Sequence, residues 1–197
     1  FYKMSYTNDY LHQVVRVVEG LDRQAIDALI DLFVRVRQAG GRLFILGVGG
    51  SAGNAGHAVN DFSKLAGIEA YAPTDNVSEL TARINDDGWE TSFARWLERS
   101  RLQSKDLVLV FSVGGGHREM NVSVNLVKAL EYAQSVGSHI GGIVGRDGGF
   151  TAQVAHACVV VPTVSEHTVT PLAESFQAVI WHLLVSHPDI QTADTKW

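Results

Sequence analysis

Two short glycine runs stand out as places where a small anion could be held. Gly47-Val-Gly-Gly-Ser51 and Ser112-Val-Gly-Gly-Gly-His117 each follow an apolar run. Glycine lets backbone come close to a ligand, and a helix that opens there offers unpaired N–H groups to an anion. Phosphate or sugar binding is the chemistry such turns support; a tight turn with no ligand is the alternative. The first run lacks the lysine of a P-loop, and its spacing does not match the dinucleotide fingerprint. His57 and Asp61 lie four residues apart just beyond it. On a helix they share a face and could hold a metal or move a proton, or simply face solvent as a pair. Glu174 and His182 lie eight apart in the last apolar stretch. On a straight helix that is about 80° of rotation and about 12 Å of rise, so binding of one metal by both needs a bend or an unusual approach. A carboxylate beside Ala173, Phe176 and Val179 stands out because carboxylates rarely lie among apolar residues unpaired. Asn85-Asp-Asp-Gly88 reads as a polar turn, and Arg146-Asp147 as the turn after a strand.

The elements that must position these residues follow from hydrophobic periodicity. Leu11, Val14, Val15 and Val18 recur at helical spacing. Asp22 caps a second helix carrying the stripe Ile26, Leu29, Ile30 and Phe33, which Gly40-Gly41 ends. From there the pattern alternates. Strands are expected over 42–47, 68–72, 106–112, 139–144 and 158–161, with helices over 51–66, 77–84, 89–99, 119–136 and 171–186. Apolar strands alternating with helices predict a doubly wound, five-stranded parallel sheet covered on both faces, with two N-terminal helices before it. Ligands bind such sheets at the carboxyl ends of the strands, where both glycine runs fall.

Composition narrows the class. The chain has 197 residues, 46% hydrophobic and 19% charged, which suits an ordinary globular chain rather than a disordered one. A net charge of −5 argues against broad binding to nucleic acid while leaving a local anion site open. A single cysteine, Cys158, excludes an internal disulfide and a Cys-rich zinc site; within Ala155–Val161 it reads as a buried thiol. No stretch reaches the ~18 apolar residues of a membrane span, and Phe1–Asp9 has no signal-peptide pattern, so a cytoplasmic setting is expected. Trp89, Trp96 and Trp181 read as core. His12, His139, His156, His167 and His187 have no evident partners.

Gly47-Val-Gly-Gly-Ser51, followed by His57 and Asp61, resembles the opening of the sugar-isomerase (SIS) domain of bacterial phosphoheptose isomerases. The resemblance runs on through Ile84-Asn-Asp-Asp-Gly88, Ser112-Val-Gly, Gly145-Arg-Asp-Gly-Gly149 and Val161-Pro162, over nearly the whole chain. It implies a flavodoxin-like three-layer sandwich. The chain would be a single SIS domain over 1–197, with 1–40 as a helical extension and 41–197 as the α/β core. It implies an aldose–ketose isomerase that interconverts sedoheptulose 7-phosphate and a heptose 7-phosphate in the cytoplasm. It also implies a homotetramer with one Zn2+ per site and active sites at subunit boundaries, with neither nucleic acid nor membrane as partner. The family's metal ligands fall on His57, Asp61, Glu174 and His182, and its acid–base pair on Asp61 and His182. Its substrate contacts fall on Val48, Gly49, Gly50, Ser51, Asn85, Asp86, Ser112, Val113, Gly114, His117 and Glu174. Four departures bear on activity. Val48 replaces an asparagine, Asp61 a glutamate and Glu174 a glutamine. The family's Ser-Thr-Ser-Gly-Asn-Ser phosphate loop is Ser112-Val-Gly-Gly-Gly-His117 here, with three hydroxyls gone. Those departures keep two other readings open: a non-catalytic SIS module that binds a sugar phosphate or a protein partner, such as a replication initiator, and an isomerase with a changed sugar.

Overall fold

The computed structural model describes residues 5–194. The N-terminal reading over Phe1–Asp9 therefore lies partly outside the described residues. Two helices lead, α1 (Tyr6–Gly20) and α2 (Arg23–Gln38). Asp22 caps α2 as expected, its carboxylate accepting from the Gln24 and Ala25 N–H groups. Five strands follow: β1 (Leu43–Leu46), β2 (Ala70–Tyr71), β3 (Leu107–Ser112), β4 (His139–Val144) and β5 (Ala157–Val160). They are all parallel, in the order β2-β1-β3-β4-β5. Strand order reverses between β1 and β3, so the crevice of this doubly wound sheet opens where the two glycine runs leave those strands.

Helices cover both faces. Leu43, Ile45, Leu109, Phe111 and Ile143 point to one face, where α2, α3 (Gly50–Leu65) and α8 (Val169–Ser186) bury Phe33, Phe62 and Trp181. Phe44, Leu46, Val108 and Val110 point to the other, against α5 (Ser92–Arg99), α6 (Val124–Val136) and α7 (Gly149–Val154). The apolar stripe of α1 does something else: Leu11, Val15 and Val18 are exposed.

Several boundaries differ from expectation, each for a local reason. Asn85 and Asp86 are helical rather than in a turn. Helix α4 runs Val77–Asp87, is capped by Asn76, and stops only at Gly88, whose φ is 80°. The expected 89–99 helix is a 3-10 turn at Trp89–Thr91 followed by α5. Helix α6 starts at Val124, not Glu119, because Asn121 (φ 55°) and Ser123 (φ 49°) are left-handed and His117 pairs with Val122 across a tight antiparallel bridge. Helix α7 was not foreseen. Helix α8 starts two residues before Pro171, which its first turn tolerates because that N–H has no helical partner. Trp96 and Trp181 are buried as expected, but Trp89 is 41% exposed. Cys158 is only partly exposed, and burial pushes its thiol up to about 12. His139 and His156 prove to be partners, with ring centroids 5.5 Å apart.

Candidate metal and substrate site

Helices α3 and α8 pack side by side, and their facing residues set the first part of the site. His57 and Asp61 sit one turn apart on α3, as the four-residue spacing requires. His182 comes from α8. The Nε2 atoms of His57 and His182 each lie 3.5 Å from Asp61 Oδ2. One ligand atom from each of the three residues falls within 4.8 Å of the others. Both histidines are exposed, while Asp61 is 8% exposed.

Backbone chemistry decides which nitrogen His182 offers. Its Nδ1 lies 2.7 Å from the Ala178 carbonyl oxygen, which can only accept, so Nδ1 carries the proton. In the neutral ring Nε2 then holds the lone pair that faces Asp61. A ring fixed through its other nitrogen is the usual state of a ligating histidine. Two imidazole nitrogens and one carboxylate, with the remaining directions open, fit a divalent cation of the zinc type. Two more groups hold the carboxylate: the Trp181 indole N–H donates to Oδ2 at 3.3 Å, and the Asn60 amide donates to Oδ1 at 3.3 Å.

Glu174 is not part of this cluster. It lies two turns back along α8, the ~12 Å that eight helical residues span. Its carboxylate faces Gly50 at the start of α3, where a side chain on Gly50 would collide with it. The four-ligand set expected from the resemblance is thus a three-residue set in this chain, with Glu174 beside the first glycine run. There Gly49 adopts φ 62° and opens α3, while Val48, Gly49 and Gly50 are exposed. Ser51 is buried instead. Its hydroxyl accepts from the Gln177 amide at 3.0 Å, and Gln177 in turn accepts from Asn54 at 2.9 Å. Ser51, Asn54 and Gln177 form a polar seam that joins α3 to α8 between the His57–Asp61–His182 cluster and Glu174.

The second glycine run is built differently. Its glycines admit another stretch of backbone: a side chain on Gly115 would run into the Gly148 carbonyl, and one on Gly149 into that of Gly114. The loop's polar groups are partly used within the protein. Gly115 N–H donates to Ser112 Oγ at 3.0 Å and His117 N–H to the Val122 carbonyl at 2.9 Å, while the Gly115 and Gly116 carbonyls accept from Thr151 and Phe150 at the start of α7. Val113 lies in the same turn and is partly exposed. A cleft of about 630 Å³ opens beside this loop, lined by Gly114, His117, Met120, Val122, Arg146, Asp147, Thr163 and Glu166. Arg146 is exposed and left-handed at φ 51°, a costly conformation for a residue with a side chain, and its chain lies over Gly114. The cleft thus combines the Arg146 guanidinium and the His117 ring, whose Nδ1 accepts from the Met120 N–H and leaves Nε2–H as a donor, with two carboxylates, a mixture suited to a phosphate that carries hydroxyls.

Asn85 and Asp86 are not brought to either place. The Asn85 amide donates to Asp86, and Asp86 lines a separate depression between α4 and α5 with Arg83 and Arg99. Four site residues escaped the sequence reading. Arg146 looked like turn chemistry and Trp181 like core, Gln177 was a further polar residue of the last helix with no role assigned, and Asn54 carried no reading. Only Trp181, adjacent to His182, carried a usable signal.

Comparison with known proteins agrees with this architecture. A family model for the SIS domain matches residues 6–145. The chain is 31% identical to a phosphoheptose isomerase of Geotalea daltonii over 182 residues, covering 88% of this chain and 89% of that protein. It is 30% identical to the lincomycin biosynthesis protein LmbN of Streptomyces lincolnensis over 191 residues, covering 93% of this chain and 69% of the relative. Among solved structures, the phosphoheptose isomerase GmhA of Neisseria gonorrhoeae superposes with a TM-score of 0.78 at 22% identity, covering 91% of this chain and 95% of that one. The five-stranded parallel sheet, its crevice and these matches together make the chain a member of the SIS domain family, of the phosphoheptose isomerase-like kind.

Proposed function

We propose that this chain is an aldose–ketose isomerase of a phosphorylated sugar, with sedoheptulose 7-phosphate and heptose 7-phosphate as the substrate pair. The observation that carries this reading is the convergence of His57 Nε2 and His182 Nε2 on the Asp61 carboxylate at 3.5 Å each. His57, Asp61 and His182 would hold one Zn2+, which when bound supplies an electrophile for the sugar's carbonyl and hydroxyl oxygens. Glu174 is then a substrate group rather than a ligand, poised beside Gly50 to accept a sugar hydroxyl.

The chain's own residues do the proton work. In the ketose-to-aldose direction a base removes a proton from carbon 1, leaving an enediolate, and a proton is delivered to carbon 2. The hydroxyl proton passes from the oxygen on carbon 1 to the oxygen on carbon 2. Asp61 is the candidate base, because one of its oxygens, Oδ1, is touched only by the Asn60 amide. His182 is the candidate for the oxygen-to-oxygen transfer. With Nδ1 committed to Ala178, the transfer would run through Nε2, which serves the proton only while it is not holding the cation. The backbone of Val48, Gly49 and Gly50, with Val113 and Gly114 across the crevice, would bind and orient the sugar. Ser51 and Ser112 support those two turns from within. The phosphate would sit in the cleft with His117 and Arg146, where the Arg146 guanidinium and the His117 ring N–H stand in for the missing hydroxyls. Arg146→Met should raise KM for the phosphorylated sugar about 10–100-fold with a smaller change in kcat. An unchanged KM would remove the phosphate from this cleft.

Self-association fits the same reading. Leu11, Val15 and Val18 on α1 are exposed, as are Val179 and Leu183 beside His182 on α8. We take the assembly to be a homotetramer of single-domain subunits with this site near a boundary, in a cytoplasmic setting. No helix among the described residues is long and apolar enough to cross a membrane.

One observation favours a second reading. The second loop keeps one hydroxyl, Ser112, which is spent within the loop, and uses part of its backbone on internal hydrogen bonds. That would suit a changed sugar, or a non-catalytic module that binds a sugar phosphate or a protein partner. Zinc-loaded protein incubated with sedoheptulose 7-phosphate, followed by NMR with a chelated control, separates the three. Chelator-sensitive aldose formation supports the isomerase. Folded, zinc-loaded protein without turnover points to another sugar. Folded protein that takes up no metal and turns nothing over points to the binding module.

A further inference from the structure

Asp61 is a short carboxylate asked to meet two histidines on different helices. Its carboxyl group turns about a broad, weakly restricted torsion, so the side chain alone does not hold an oxygen between them. The histidines do not enclose it either: both are exposed, and the tether of the His182 ring, through Nδ1 to Ala178, touches no Asp61 oxygen. The Asn60 amide touches the other oxygen and is exposed as well. Among the described residues, the buried donor on Oδ2 is the Trp181 indole N–H, at 3.3 Å.

Trp181 is itself tightly placed. It is 1% exposed and stacks on Phe111 of the central strand β3, with centroids 5.8 Å apart and planes 17° apart. Its ring meets the edge of His57 at 5.3 Å and lies 4.7 Å from its neighbour His182. An indole nitrogen only donates, so it can neither ligate a cation nor take a proton in the reaction. Its one polar capacity is spent on Asp61. If the carboxylate swung toward solvent, the buried N–H would lose its partner, and that loss opposes the swing.

We infer that Trp181 is a positioning residue: its indole N–H holds Asp61 Oδ2 between His57 and His182, so the cation site is formed before any cation arrives. The inference rests on the metal-site reading above. Partners of this kind, hydrogen-bonded to a ligand rather than to the metal, commonly change affinity 10–100-fold when removed.

Trp181→Phe tests it, keeping a ring against Phe111 while deleting the donor. Zn2+ and Co2+ affinities are measured by chelator competition on the intact chain, with the visible spectrum of the Co2+ form as a report on ligand geometry. The expected result is a 10–100-fold loss of affinity and a shifted Co2+ absorption band, with the metal-free protein still melting cooperatively, at a lower temperature because a buried ring has been made smaller. Equal affinity and an unchanged band overturn the inference. A second measurement leaves the tryptophan in place. The indole 1H–15N signal that disappears in Trp181→Phe should exchange slowly with solvent in the wild type and faster in Asp61→Ala. Unaltered position and exchange in Asp61→Ala also overturn it. If the wild type binds neither cation, the metal-site reading fails and takes this inference with it; if the wild type binds and Trp181→Phe binds equally, only the role of Trp181 fails.

Discussion

The molecule carries two histidine pairs of nearly the same geometry at different places. The His57 and His182 rings lie 5.3 Å apart at 78°; those of His139 and His156 lie 5.5 Å apart at 74°. Their chemistry differs because of what surrounds them. Between the first pair lies a carboxylate, Asp61. Near the second stands a cation, Arg35. The backbone also sets opposite proton positions. The Ala178 carbonyl places the proton of His182 on Nδ1 and leaves Nε2 as a lone pair toward the site. The Ile140 N–H donates to Nδ1 of His156 at 3.0 Å, so in the neutral ring of His156 the proton is on Nε2. One pair presents a ligand nitrogen and the other a donor. Ring proximity alone therefore does not make a cation site; the carboxylate between the rings and the backbone partner of His182 set the first pair apart.

The sharpest test of this contrast is catalytic. His182→Ala should reduce kcat/KM for the sugar phosphate by about 10²–10⁴-fold, the usual worth of a positioned acid–base group. His156→Ala should leave it within about twofold, since no reacting atom is near. Steady-state kinetics on both variants, with circular dichroism to verify folding, checks this. Comparable losses in the two variants would erase the distinction between the pairs.

Metal uptake gives a second, smaller difference. His57→Ala removes one of three ligands and should weaken zinc binding by at least an order of magnitude, read by chelator competition. His139→Ala should leave both stoichiometry and affinity unchanged. Loss of zinc in His139→Ala would mean that the second pair also binds metal, and the proton-position argument would fall.

Much of this contrast could be read from the sequence, but not its decisive part. The sheet was legible because its strands are apolar and its glycines fall at strand ends. His57 and Asp61 were legible because four-residue spacing fixes one helix face. Glu174 was ambiguous for the matching reason: eight residues span about 12 Å, and the structure keeps that separation. The second glycine run was only partly legible. Its glycines serve close packing of one loop against Gly148-Gly149, a long-range contact that no local pattern encodes. Asn85 and Asp86 looked like turn residues, yet α4 continues to Gly88 because its Asn76 cap and the left-handed glycine set its ends. His139 and His156 are seventeen residues apart in sequence and meet only because β4 and β5 are neighbours in the sheet.

The smallest effect concerns that second pair and acid. Burial, then His156, then Arg35 all disfavour a charged His139, so it titrates below its ordinary 6.5 in the folded protein. As pH falls, the unfolded chain takes up this proton before the folded chain does. The stability tied to neutral His139 is thus fully present above about 6.5 and is lost as pH drops from there through the lower folded-state value. The melting temperature should decline over that window, and less steeply in His139→Gln, which has nothing to titrate there. The difference should be modest because the ring is only partly buried and solvent screens it. Parallel melting curves for wild type and His139→Gln would show that the second pair carries no proton-linked strain, and that its resemblance to the first is one of ring geometry alone.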